Sequence, residues 1–161
     1  MKQTRLTAKE YQKKSKPNKY KNKKVEYRGL MFDSQMEFEY YLYITNVVYS
    51  KDIFSDIEIK LQPEYELLEK FEKNGKKYRA INYRADFEIC KNGKPFRVID
   101  IKGFPNPLFL LKEKMFNHKY KDITLEIITK SPKWCEEYAL DGWIETSELK
   151  KLRAKRKKGL I

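Results

Sequence analysis

Two aspartates and a lysine lie close together near the centre of the sequence. Asp86 closes one extended segment, and Asp100 and Lys102 are two residues apart in the next. Residues two apart on a β-strand project from the same face, so Asp100 and Lys102 should lie side by side. Carboxylates can share a divalent cation, and a nearby ammonium can neutralise developing negative charge. This combination is suited to metal-assisted hydrolysis of a phosphodiester bond.

A predicted β-hairpin connects the two aspartates. Its arms are residues 83–90 and 95–103, both rich in β-branched and aromatic residues, and Asn92-Gly93 between them is a strong turn signal. The length of the loop sets the register, and a shift of one residue moves every side chain to the other face. The loop therefore decides whether the two carboxylates meet.

The two candidate loops give different registers. A two-residue turn would pair Lys91 with Lys94 and leave the aspartates on opposite faces. A three-residue loop would pair Cys90 with Lys94 and put Asp86 opposite Val98, with the second aspartate as its diagonal neighbour at roughly 7–8 Å. We predict the three-residue loop, because it lets both carboxylates reach one ion.

A helix before the hairpin offers a third acid. Ser34 and Glu37 fit a capping box, which predicts a helix that begins at Asp33 or Ser34 and ends near Tyr49. Glu37 also starts a stripe that continues through Tyr41, which would point its carboxylate at something positive in the interior. The sequence leaves these two roles of Glu37 open.

Further strands are predicted on both sides of the hairpin. Residues 25–32 should form a short strand or turn, and Asn74-Gly75 predicts a second hairpin turn after the extended residues 53–71. Residues 78–90 and 95–102 should complete a three-stranded antiparallel meander.

The helix after the hairpin has clear end signals. Asn106 is suited to the N-cap and Pro107 to the first helical position, and the helix should end near Tyr120. Its predicted packing stripe comprises Leu108, Leu111, Met115 and the ring of His118. A strand over residues 123–129 would then follow a crossover helix, which predicts a parallel neighbour in the sheet. The predicted fold class is α/β (α+β), a mixed sheet flanked by helices.

Positive charge is concentrated at the two ends of the chain, whose formal net charge is +13. Residues 1–24 hold ten Lys or Arg and one acid, and residues 149–161 hold seven and no acid. Basic ends predict a polyanionic partner, although a solubilising role stays open. We predict a basic flexible arm (1–24), a folded domain (25–145) and a basic C-terminal helix or tail (146–161). The predicted nucleic-acid-binding residues are Lys13, Lys14, Lys19, Lys23, Lys24 and Lys112.

Several classes of protein are excluded by what the sequence lacks. It has no apolar run near 18 residues and no signal-peptide pattern, which predicts a cytoplasmic protein that does not enter the membrane. Cys90 and Cys135 lack metal-type spacing and are expected to be reduced, structural thiols. No glycine-rich phosphate loop, serine elbow or paired histidine ligands are present.

The order of the acidic residues resembles a known superfamily. Glu37, then Asp86, then Asp100-Ile101-Lys102-Gly103 before a helix is similar to the PD-(D/E)XK nucleases. Residues 32–34, 61–63, 83–87 and 98–103 resemble a family of small phage-encoded endonuclease-like proteins. The layout is also similar to TnsA-type transposon endonucleases and phage Holliday junction resolvases. The resemblance covers roughly residues 20–130.

The resemblance implies a restriction-endonuclease-like core, bound Mg²⁺ or Mn²⁺, and a DNA substrate. It implies Asp86 and Asp100 as metal ligands, the Ile101 carbonyl as a third, Lys102 as the catalytic lysine and Glu37 as the helix acid. The sequence departs from the family pattern where an alanine precedes the first aspartate in place of proline, and where aspartate replaces the commoner glutamate before Ile101.

The function that the resemblance implies is a metal-dependent DNA endonuclease for phage recombination, repair or DNA processing, in the cytoplasm of a bacterial host. Branched DNA is one candidate substrate. A second copy of the chain and a phage or host recombination protein are further candidate partners. The alternative is a nucleic-acid-binding or host-factor-binding module that keeps the fold without turnover.

Overall fold

The computed structural model describes residues 23–49, 56–103 and 105–161. The chain divides into two compact units, Met1–Gln35 and Met36–Ile161. In the first unit, β1 (Val25–Tyr27) and β2 (Leu30–Phe32) form an antiparallel hairpin, which confirms the short strand predicted there. Its two-residue turn, Arg28-Gly29, has positive φ at both positions, as tight hairpins with the native twist require.

Helix α1 (Gln35–Tyr43) begins one residue after the predicted cap and continues into one π-helical segment, Ile44–Val48. The predicted helix is therefore confirmed, but its last turn widens from α to π. The buried positions beyond the first unit are Glu37, Tyr40 and Ile44. The Tyr40 ring packs 5.8 Å from that of Phe87, which fixes this helix on one face of the sheet.

The strands of the second unit are β3 (Ile57–Leu61), β4 (Glu64–Leu68), β5 (Phe71–Lys73), β6 (Lys76–Tyr78), β7 (Ile81–Arg84), β8 (Phe87–Lys91), β9 (Lys94–Ile101), β10 (Thr124–Lys130) and β11 (Trp143–Glu145). Five of them form a mixed sheet in the order β11-β10-β9-β8-β3. Strands β9 and β10 are parallel, as the crossover predicted, and the other neighbours are antiparallel.

The predicted three-stranded meander is only partly right. β3, β8 and β9 are antiparallel neighbours, but the chain between β3 and β8 forms two separate two-stranded sheets, β4–β7 and β5–β6. Gln62, at a positive φ of 51°, and Pro63 end β3 and redirect the chain away from the main sheet. The predicted turn at Asn74-Gly75 is confirmed between β5 and β6.

Helix α2 (Pro107–Lys119) has the predicted boundaries but a different buried face. The Asn106 side chain accepts a hydrogen bond from the Phe109 N–H at 2.8 Å, which confirms the N-cap. The predicted stripe is wrong, because Leu108 and Leu111 are exposed while Phe109 and Phe116 are buried. These two rings join Tyr65, Tyr83, Val98 and others in the core on the opposite face of the sheet from α1.

The C-terminal part of the chain packs as a separate small cluster. A 3₁₀ segment (Lys133–Tyr138) and the predicted Asp141-Gly142 turn lead into β11, and helix α3 (Thr146–Lys157) follows. Leu149 and Leu152 are both buried with Cys135 and Ile144, so the two leucines do dock α3. Among the described residues, both cysteines are buried and unpaired, and no helix is long and apolar enough to cross a membrane.

Candidate active site

The hairpin β8–β9 brings Asp86 to Asp100 by a different register from the predicted one. The turn is Asn92-Gly93 with Lys91 paired to Lys94, so the three-residue loop is wrong. Both turn residues have positive φ, 51° and 73°, which is the geometry that an Asn-Gly sequence favours.

A β-bulge then restores the meeting of the two aspartates. Cys90 pairs with Pro95 but Ile89 pairs with Arg97, so Phe96 is an extra residue on β9. As a result Glu88, rather than the predicted Asp86, lies opposite Val98.

Asp86 contacts both chain neighbours of Asp100. Its backbone N–H donates to the Ile99 carbonyl at 3.1 Å, and its carboxylate Oδ2 accepts from the Ile101 N–H at 2.6 Å. The two carboxylates therefore meet at the same point of β9.

Asp100 is the most deeply buried acid of the group, with no solvent-exposed area. The Tyr83 hydroxyl donates to its Oδ2 at 2.6 Å, and Lys102 Nζ lies 2.7 Å from its Oδ1. The Lys102 contact balances charge but lacks the direction of a hydrogen bond, so Oδ1 keeps an unused acceptor position. Asp100 is thus held in one orientation by a tyrosine and a lysine.

Asp86 carries the strongest electrostatic signature in the site. Burial first, and then the charges of Asp100 and Glu37, raise its pKa to about 8. The Ile101 N–H and Lys102 oppose this rise without cancelling it. A carboxylate that resists ionisation because other carboxylates surround it marks a place where positive charge is deficient.

Glu37 belongs to this group although it comes from helix α1. It is buried, and its charge raises the pKa of both Asp86 and Lys102. Of the two roles that the sequence left open, the structure therefore shows the interior one: Glu37 acts on the positive lysine of the cluster.

Lys102 is held in its charged form. Burial would lower its pKa, but the Asp100 carboxylate, with smaller contributions from Asp86 and Glu37, raises it above the ordinary lysine value. An ammonium at neutral pH can stabilise negative charge but cannot accept a proton from water. The structure therefore favours an electrostatic role over that of a general base.

Tyr83 and Glu113 are two site residues that the sequence analysis missed. Tyr83 fixes Asp100 through its hydroxyl, and burial and Asp100 raise its pKa far above the ordinary value, so it stays a donor. Glu113, on α2, has a raised pKa because of burial, Glu145 and Asp100. Tyr83 was detectable as the start of the segment that ends in Asp86, whereas nothing in the sequence linked Glu113 to Asp100.

The predicted DNA-contacting lysines fall in different places. Lys13, Lys14 and Lys19 lie outside the described residues. Lys23 is exposed, and Lys24 forms an ion pair with Asp33 at 3.0 Å. Lys112 lies on α2, where its Nζ donates to the Asn82 carbonyl at 2.7 Å.

No group of three or more His, Cys, Asp or Glu side chains in the described part of the chain is arranged to hold a metal ion. The oxygens that face the site are already engaged by Tyr83, Lys102 and the Ile101 N–H. The excess of carboxylates and the unused position on Asp100 Oδ1 nevertheless suit an oxygen-seeking divalent cation.

A second cavity, of about 360 Å³, is lined by Tyr40, Tyr43, Trp143 and other residues, but by none of the four candidate residues. Its Arg97 forms a two-bond ion pair with Glu126 at 2.6–2.7 Å, so these charges balance each other. It therefore has no comparable chemical signature.

The fold and the site define a mixed α+β protein whose mixed sheet carries a buried cluster of three carboxylates and one lysine. The chain belongs to the family described as "Protein of unknown function (DUF1064)", whose model matches residues 17–136. That range includes all four candidate residues. No curated protein and no solved structure matches the chain.

Proposed function

We propose that the protein is a metal-dependent DNA endonuclease that hydrolyses phosphodiester bonds at this cluster. One observation carries the proposal: Asp86, Asp100 and Glu37 act on one another's charge beside Lys102, and the pKa of Asp86 rises to about 8 as a result. Phage recombination, repair or DNA processing is the proposed context, and a restriction-endonuclease-like core is the proposed fold family.

Asp86 and Asp100 would hold Mg²⁺ or Mn²⁺, with the Ile101 carbonyl as a further proposed ligand and Glu37 contributing from α1. When bound, the metal would supply Lewis-acid stabilisation of the phosphate and a water of lowered pKa. The fit is supported by the surplus of negative charge and by the unused acceptor position on Asp100 Oδ1.

The chain's own residues would orient and stabilise the substrate. Tyr83 and the Ile101 N–H each hold one carboxylate in a fixed direction, which reduces the reorganisation that a reaction would need. The Lys102 ammonium would lie against the phosphate oxygens and offset the negative charge that develops there. Because burial excludes water around Asp100, this charge is weakly screened.

The test is cleavage of plasmid and branched DNA with Mg²⁺, Mn²⁺ or EDTA. We expect wild type to cut with either metal and not with EDTA, and Lys102→Ala to lose at least about a hundredfold in rate, as for loss of a charge-stabilising donor. Lys94→Ala, which removes an exposed lysine from the other end of β9, is the matched control and should cut normally.

The alternative is a nucleic-acid-binding or host-factor-binding module that keeps this fold without turnover. The engaged state of the site oxygens favours it. If wild type, Lys94→Ala and Lys102→Ala all leave every substrate uncut while DNA binding persists, the module is the correct description and the endonuclease proposal is wrong.

A further inference from the structure

A groove of about 410 Å³ borders the candidate active site. Asp100 and Lys102 line one side, and Asn82, Asn106, Leu108 and Lys112 are among the residues on the others. The groove is concave and has the size of the pockets that take one small molecule, rather than of a surface that follows a duplex.

The charges of the groove suit a phosphate-bearing ligand. Three cationic side chains, Arg84, Lys102 and Lys112, line it together with two acidic ones, Glu64 and Asp100. The bond from Lys112 Nζ to the Asn82 carbonyl, 2.7 Å long, fixes this ammonium between α2 and β7. Aromatic rings of Tyr83 and Phe109 also line the groove, and they offer a flat apolar surface to a base.

The rim of the groove carries an apolar side chain with no place in the core. Leu108 is 64% exposed in the first turn of α2, next to the equally exposed Leu110 and Leu111. The neighbouring Phe109 anchors the helix, so Leu108 is held outward by the same turn. Exposed leucines at the edge of a polar, cationic groove are suited to wedge against unstacked bases, as apolar side chains do in proteins that open a base step.

We infer that the substrate is DNA with an unpaired nucleotide beside the cut, whose base enters this groove while Leu108 wedges against the next base pair. This rests on the proposed function. A base inside a duplex cannot enter while its phosphate lies at Asp100 and Lys102, because it is held in the stack. A nucleotide that is already unpaired avoids the cost of unstacking, so branched, bulged or flapped DNA is preferred to intact duplex.

The test is binding of full-length protein, in EDTA, to two DNAs of equal length: a duplex with a one-nucleotide bulge and the same duplex fully paired. We expect wild type to prefer the bulge by about tenfold or more, since one stacked base is worth that much. Leu108→Ser should lose most of this preference with little change in duplex affinity, which phosphate contacts set. Leu160→Ser, which removes a leucine of similar exposure (67%), should keep the preference.

Equal binding of both DNAs by wild type, or an equal effect of the two leucine substitutions, would overturn the inference. Cleavage of the same DNAs in Mg²⁺ separates it from the proposed function. Cutting without preference for the bulge contradicts the inference alone, whereas preference without cutting supports it and contradicts the endonuclease.

Discussion

Replacing Asp86 by asparagine should stabilise the protein in the absence of metal, and more so as the pH rises. The native state has to ionise this side chain next to Asp100 and Glu37, whereas the unfolded chain does not. Asparagine removes the charge and keeps an oxygen that can accept the Ile101 N–H. The gain therefore measures the electrostatic cost of the cluster.

The size of the effect follows from the pKa of Asp86, which is 3.8 ordinarily and about 8 in the folded chain. Between these values the native state holds a proton that the unfolded state has lost, so the free energy of unfolding falls by up to about 1.4 kcal/mol per pH unit. Three units, from pH 5 to pH 8, set an upper limit of about 4 kcal/mol. Because the neighbouring acids share this titration, we expect about 2 kcal/mol.

The assay is urea unfolding at pH 5 and pH 8 in EDTA for wild type, Asp86→Asn and Asp122→Asn. Asp122 is an exposed acid before β10, and its replacement should change stability by less than about 0.5 kcal/mol at either pH. The advantage of Asp86→Asn over wild type should grow between the two pH values. A constant advantage, or a loss that grows with pH, would refute the claim that the cluster raises this pKa.

Three further predictions test other parts of the molecule. Glu88→Gln should destabilise by about 1.5–3 kcal/mol at pH 7, because Tyr65 and a lysine donate to the Glu88 carboxylate; that contribution is lost as pH falls through the lowered pKa of Glu88, so the variant should approach wild type in urea unfolding in acid. Phe116→Ala should cost about 3–5 kcal/mol and Leu111→Ala less than about 0.5, and a large effect of Leu111→Ala in urea unfolding would contradict the observed buried face of α2. Deletion of residues 1–24 should flatten the dependence of DNA affinity on salt by about 0.9 per lost phosphate contact, and an unchanged slope in a binding titration would return the arm to a solubilising role.

The ends of α2 were predictable from sequence, but its buried face was not. The ends depend on local chemistry, chiefly the bond from the Phe109 N–H to Asn106, which the sequence contains in full. The buried face depends on which apolar ridge fits the sheet. Two ridges were present, and the one with Phe109 and Phe116 won because these rings fill the space beside Tyr65 and Tyr83.

The hairpin register shows the same limit. Asn92-Gly93 encodes a two-residue turn through its preference for positive φ, and the structure follows that local signal. The extra residue at Phe96 has no such signal, because a bulge relieves a mismatch between the turn and the packing of both strands. The meeting of Asp86 with β9 was therefore predicted correctly from an incorrect loop.

Two buried acids on neighbouring positions show why the cluster is better explained by function than by stability. Glu88 faces Tyr65, Lys60 and the Cys90 thiol, and although burial raises its pKa, the donors lower it below the ordinary value, as expected of an acid that stabilises the fold. Asp86, two residues earlier, has one backbone donor and other carboxylates for neighbours, and its pKa rises. A pair of Asp100 and Lys102, oriented by a tyrosine, would already be complete without it. A sequence that retains so costly a residue beside a complete ion pair is typical of a site that awaits positive charge from outside the chain.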